Sequence, residues 1–246
     1  MPITAARAAL DLPPAYRLVT LREVGDAFAH ARAIAAQEGA GTLVYVGRFD
    51  LAEFAVILEP DEPLRTARRA FYAGCAALAD ALAVYAPPEK PIEFVWPDAI
   101  HVDGGLVGGA RLGWPADADD DAPADWLVFG AMIRTVAMDE EEGGLSPLAA
   151  ALTEEGFADA GSDRLVESFS RHLMVALDAW QESGFDAVAK TYLPRLVPEP
   201  HVRRAIDTNG DLLVRRVGRR EVERRALVPA LATPSWLDPA SGGPRR

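Results

Sequence analysis

Between Ile92 and Ile133 the chain gathers four strand-like segments, each bounded by turn signals. They are Ile92–Trp96, Ala99–Val102, Leu106–Trp114 and Trp126–Ile133. Helical periodicity lies before and after this block rather than between its strands. That order argues against a strictly alternating βαβ sheet and for an α+β fold in layers. Upstream, Tyr16 to Arg22 reads as a short strand, and Asp26 is placed to cap a helix over Ala27 to Glu38 that Gly39 stops. Thr42–Val46 and Phe54–Leu58 read as buried strands. Leu64 to Tyr85 reads as one helix, with Phe71, Cys75, Leu78 and Leu82 on a stripe. Downstream, residues 145–156 read as a short helical piece. Arg164 to Ser183 reads as a long amphipathic helix with Leu165, Phe169, Leu173, Leu177 and Trp180 on its apolar face. Phe185 to Tyr192 adds a further helical turn or two. Two strands, Arg203–Ile206 and Asp211–Arg216, flank Asn209-Gly210, a type I′ turn signal.

Charge divides the chain where the pattern changes. The 246 residues carry a net charge of −12, yet the stretch from His201 onward holds ten arginines against five acids. Pro194, Pro198 and Pro200 mark the break, so the expected domains are 1–198 and a small basic β domain, 199–246. Arginines of such a tail are expected to pair with the acidic body of the molecule. The overall acidity argues against nucleic acid as a partner. No stretch approaches the ~18 apolar residues needed to cross a bilayer, so no membrane partner is expected. Cys75 is the only cysteine, which rules out an intramolecular disulfide and fits a cytoplasmic location.

Most catalytic chemistries lack their residues. His30, His101, His172 and His201 have no ligand-spaced partners, so no metal site is expected. The acidic runs Asp117–Asp121 and Asp139–Glu142 lack the alternation of a calcium loop and read as solvated loops. There is no GxSxG elbow, no Walker lysine and no GxGxxG. Cys75 reads as a structural thiol on a helix stripe. What remains is the block Val95 to Arg111, with Gly104, Gly105, Gly108 and Gly109 inside six positions. Two of these glycines belong to a turn after Asp103. Gly108 and Gly109 fall inside the next strand, where glycine weakens pairing. Close approach of a ligand would explain them, and so would a bulge or a packing need.

This block resembles the biotin/lipoate protein ligase family. Trp96-Pro97-Asp98-Ala99-Ile100 stands where the family has WPND and an aliphatic residue, and Asp103 to Gly109 stands where it has a turn and KLxGI. Val128 to Arg134 resembles the buried GxGxN strand, and Leu152 to Gly156 a short family helix. Ile206 to Val214 is similar to the strand–turn–strand of a small SH3-like C-terminal domain. The resemblance runs from about Leu21 to about Leu231. It implies a mixed β-sheet with helices packed on it. It also implies attachment of biotin, lipoate or a related acyl group to a carrier-protein lysine through an acyl-adenylate, with ATP and magnesium as cofactors.

The departures fall on the cations that such chemistry needs, because a carboxylate attacking a phosphate is a meeting of anions. Only Gly47-Arg48-Phe49-Asp50 stands for the Arg/Gly-rich loop. Val95 and Gly105 stand for two lysines, and Arg134 for the asparagine of GxGxN. Lys90 and Lys190, the only lysines, read as solvated surface residues. The expected acid groove therefore uses Trp96 and the glycines Gly104, Gly105, Gly108 and Gly109 as its wall. Asp98 and Asp103 are its hydrogen-bond acceptors, Arg48 and Arg111 its carboxylate or phosphate ligands, and Arg134 its cofactor contact. Two main readings follow: a ligase that uses arginine in place of lysine, or a non-catalytic relative that binds a biotin-, lipoate- or octanoate-like acid or a biotinyl or lipoyl carrier domain. A third takes the basic tail as an interaction surface beside a packed groove. Self-association as a homodimer is left open.

Overall fold

The computed structural model describes residues 10–22, 25–137, 149–157 and 160–245. Seven strands form one sheet: β1 (Arg17–Leu21), β2 (Thr42–Val46), β3 (Leu51–Leu58), β4 (Ile92–Val95), β5 (Ala99–Val102), β6 (Gly105–Gly113) and β7 (Leu127–Arg134). Their spatial order is β1-β2-β3-β7-β6-β5-β4. Only the β1–β2 pair is parallel, so the sheet is mixed.

Both faces of this sheet are covered. Helices α3 (Ala70–Ala83) and α4 (Ser162–Ser183) lie on one, over Phe54, Phe129 and Ile133. The rings of Phe129 and Phe169 stack there with centroids 5.6 Å apart. On the other face α1 (Ala27–Glu38) sets Ala27, Ala31 and Ala35 against Val44, Val46, Ala55, Ile57 and Val128. Alanine at these positions lets the helix axis come close to the strands. The Asp26 carboxylate accepts from Ala29 N, the cap that the sequence predicts, and Gly39 ends the helix at φ +73°. Helix α1 reaches only half of this face. Trp236, from the far C-terminus, covers Leu51, Ala99 and Met132 on the rest.

Three local expectations are not met. The helix expected over Leu64–Tyr85 is two helices, α2 (Leu64–Ala67) and α3, joined by a tight turn of i−3 hydrogen bonds. That turn sends Arg68 to Asp120 and the Trp114 ring, and Arg69 to Glu62 and the Phe185 ring. The helical piece expected at 145–156 is absent from its described part, residues 149–156. There Ala149 pairs with Leu106 and Leu152 N donates to Arg134 O, and residues 152–156 close in turns, with Glu154 N and Glu155 N donating to Ala151 O. The Asp139–Gly144 loop lies outside the described residues. The Asn209-Gly210 turn is not type I′, because among its residues Gly210 alone has positive φ. The Asp207 carboxylate instead gathers the Asn209 and Asp211 amides.

Helix α5 (Phe185–Tyr192) leads to a second, three-stranded antiparallel sheet of β8 (Val202–Ile206), β9 (Leu212–Arg216) and β10 (Val222–Arg225). Leu212 and Val214 join the main core. Its arginines pair mostly within the C-terminal part rather than with the acidic body: Arg204 with Glu199, Arg224 with Asp207 and Asp211, and Arg225 with Glu223. After α6 (Leu227–Ala232) the chain leaves this sheet and returns to the large one.

Gly74 marks a close helix–sheet approach, since a Cβ there would stand 2.3 Å from the Phe129 ring. The ring is held by Phe71 and Phe169 and cannot swing clear. Gly74→Ala should cost about 1–3 kcal/mol by overpacking, read as a lower urea midpoint with an unchanged slope. An unchanged midpoint would show that the ring layer gives way.

Candidate functional site

The glycine block folds as the hairpin its residues suggest. Asp103 and Gly104 both take positive φ, +49° and +83°, and Val102 pairs with Gly105 across them. The register slips between Ile100 and His101, and Gly108 follows at φ +155°. A Cβ on Gly108 would lie 1.9 Å from Met132 O, so this glycine serves strand packing. Gly109 serves a close approach. A Cβ there would lie 2.2 Å from Cδ1 of Trp236.

The ring over Gly109 therefore belongs to the chain itself. Trp236 has no exposed surface, and its indole N–H donates to Ala110 O over 3.2 Å. Ser235, beside it, donates to both oxygens of Asp98: its amide at 3.0 Å and its hydroxyl at 2.8 Å. Arg134 donates to the carbonyls of Ala150, Pro244 and Arg245. Burying an indole of this size is worth on the order of 4 kcal/mol, and the charge-assisted hydrogen bonds from Arg134 to the tail carbonyls add to it.

Asp98 is buried, and burial pushes its carboxyl up from an ordinary 3.8 to about 6 against the lowering effect of the Ser235 hydrogen bonds. Cys75 and Tyr192 feel its charge, and burial raises both well above their usual values.

A second cluster gathers at the N-terminus of α1. Arg48 pairs with Asp50 at 2.6 Å. Arg111 pairs with Asp26 at 3.1 Å and lies over the Phe28 ring, 4.5 Å from its centroid. Glu53 stands between them in charge. It is buried, it accepts from Ala27 N at 2.8 Å, and it feels both guanidinium groups. Burial raises its carboxyl, with Asp26 adding to the shift and Arg111 and Arg48 opposing it. A helix N-terminus and two arginines would together attract an anion. Here Asp26, Asp50 and Glu53 supply it.

The family model for the biotin/lipoate A/B protein ligase family matches residues 12–194. The chain belongs to that family. Among solved structures it is similar to a biotin protein ligase-like protein of unknown function from Silicibacter sp. TM1040. That likeness has 26% identity and a TM-score of 0.77, and covers 92% of this chain and 100% of the other. It shares its fold with the biotin protein ligase of Aquifex aeolicus, at 14% identity, TM-score 0.65, and 85% and 95% coverage. The Leishmania major biotin protein ligase in complex with biotinyl-5-AMP gives 16%, 0.55, and 87% and 99%. No curated protein matches the chain.

The family-like residues do not all meet at one place. Asp98 and Gly109 face the Trp236 slot, and Arg134 holds the tail that fills it. Arg48 and Arg111 sit with Glu53. Trp96 does not line that slot. Its indole N–H donates to the Tyr72 hydroxyl at 3.2 Å, on the helix side of the sheet, and Tyr72 donates to Gly210 O. Asp103 does not face the slot either. It sits at the hairpin tip, paired with Lys90 at 2.6 Å, while Gly104 shares that tip and Gly105 abuts Ala150. Lys90 also pairs with Glu155. Sequence reasoning missed Glu53, Ser235 and Trp236. Glu53 carries a signal, a single charge inside the apolar run Leu51–Leu58. Ser235 and Trp236 carry none, because their partners lie more than a hundred residues away.

The Asp98 shift fixes a pH dependence. A carboxyl raised on folding favours the folded state at low pH, fully below 3.8, and that contribution is lost as pH rises through about 6. It amounts to about 3 kcal/mol at most. Asp98→Asn should flatten the change of unfolding free energy between about pH 4 and 6. An identical slope in both proteins would place the titration elsewhere.

Proposed function

We propose that this family member binds a small acyl acid of the biotin, lipoate or octanoate type without adenylating it. The observation that carries this reading is the neutralised cluster. Arg48 and Arg111, the candidate phosphate ligands, are each engaged by a carboxylate, with Glu53 buried beside them. A triphosphate would have to enter against three acids and break pairs that are partly buried, which is costly. Losing even one preorganised electrostatic donor lowers such rates about a hundredfold or more. The carboxylates paired with Arg48 and Arg111 thus oppose a triphosphate at this place, although a ligase of the same fold from Aquifex aeolicus is described in complex with biotin and ATP.

Acid binding draws on the other half of the site. The slot over Gly109 has apolar walls in Leu51, Ala99 and Met132, and acceptors in Asp98 and Ala110 O. Such a slot suits a compact apolar body with a few polar hydrogens. The buried Cys75 thiol and the lack of any described helix able to cross a membrane agree with a cytoplasmic setting.

Two measurements test this function. ATP–pyrophosphate exchange with biotin, lipoate and octanoate should stay at the blank. Exchange with any of them would restore the ligase. In Trp236→Ala the vacated slot should take up at least one of the three acids in a calorimetric titration. Heat from none of them would remove the acid-binding reading.

A further inference from the structure

We infer that the segment Pro234–Arg245 is a displaceable strap over Gly109, so that an acid and the chain's own Trp236 compete for one place. The competing ligand rests on the acid-binding reading; the strap itself does not.

The strap touches the large sheet through few groups. Within it Trp236 and Pro244 are buried, and the others are half-buried or exposed. Its turn closes on itself, with Asp238 N donating to Gly243 O, Gly242 N to Asp238 O, and Leu237 bridged to Pro244. It adds no strand to the large sheet. Attachment is by the indole on Gly109 with half-buried Leu237 packed beside it, the two Ser235 donors on Asp98 and the Arg134 bonds to Pro244 O and Arg245 O. A segment held by one large anchor and a few hydrogen bonds can open without unfolding the sheet beneath.

Its chemistry also suits exchange. The strap brings donors to two acceptors, Asp98 and Ala110 O, that a purely apolar occupant of the slot would leave buried and unpaired. A ligand that displaces it has to bring donors of its own or leave both acceptors unsatisfied. An acid with N–H groups on its ring, such as biotin, is thereby favoured over octanoate. Gly109 is needed in either state, because a Cβ there would also stand 2.4 Å from the Asp98 backbone carbonyl, whatever fills the slot.

Hydrogen exchange on the full chain tests the strap directly. The hydrogen-bonded amides of Ser235, Asp238, Gly242 and Arg245 should exchange more slowly than in a free peptide, yet at least a hundredfold faster than those of β6 and β7. Ser235→Ala, which keeps the ring, should speed them further and leave β7 unchanged. Exchange at the free-peptide rate, or only together with β7, overturns the strap. For competition, whichever acid binds should do so at least tenfold more tightly to Trp236→Ala than to the natural chain. Equal affinities overturn competition. If no acid binds either protein, the acid-binding reading falls, and the exchange rates alone decide on the strap.

Discussion

A large apolar sheet has to be covered on both faces, and this chain has one helix for the second. Helix α1 covers the half built on β2 and β3. The other half, over β5, β6 and β7, is where Ala99, Gly109 and Met132 lie side by side in register. Left open, it would be an exposed apolar patch with Asp98 and the Ala110 carbonyl at hand. Trp236 closes it. The path of the C-terminus, the burial of Asp98 and the place of Arg134 all follow from that contact.

Charge shows a parallel self-sufficiency. The helix N-terminus and the two arginines near it form an arrangement that binds anions. In this chain the anions are its own side chains, Asp26, Asp50 and Glu53. Glu53 is the most telling of them, because a carboxylate buried among apolar strand residues is costly unless it is satisfied. The Ala27 amide donates to it at the start of α1. The two halves of the site are thus filled by the same molecule, one with carboxylates and the other with an indole.

Local patterns made much of the fold legible. The cap at Asp26, the stop at Gly39, the hairpin tip at Asp103-Gly104 and the stripe from Leu165 to Leu173 are short-range signals, and each forms. The order of family-like motifs carried the mixed sheet. What escaped depends on distance along the chain. The break at Arg68–Arg69 reflects partners at Asp120 and Phe185. Trp96 sits in a family-like motif yet turns to Tyr72, whose hydroxyl reaches Gly210 O in the β8–β9 turn. The two glycines inside β6 look alike in sequence, but one answers to a carbonyl of β7 and the other to a ring from residue 236. Composition marked 199–246 as one basic unit, whereas its last dozen residues pack on the large sheet.

The central claim is that the groove over Gly109 holds Trp236 in solution. Nuclear Overhauser spectra of the full chain test this most directly. Strong cross-peaks are expected between the Trp236 ring proton on Cδ1 and the α protons of Gly109, with the indole N–H shifted by its bond to Ala110 O. A Trp236 ring with solvent-like shifts and no contact to Gly109 would contradict it.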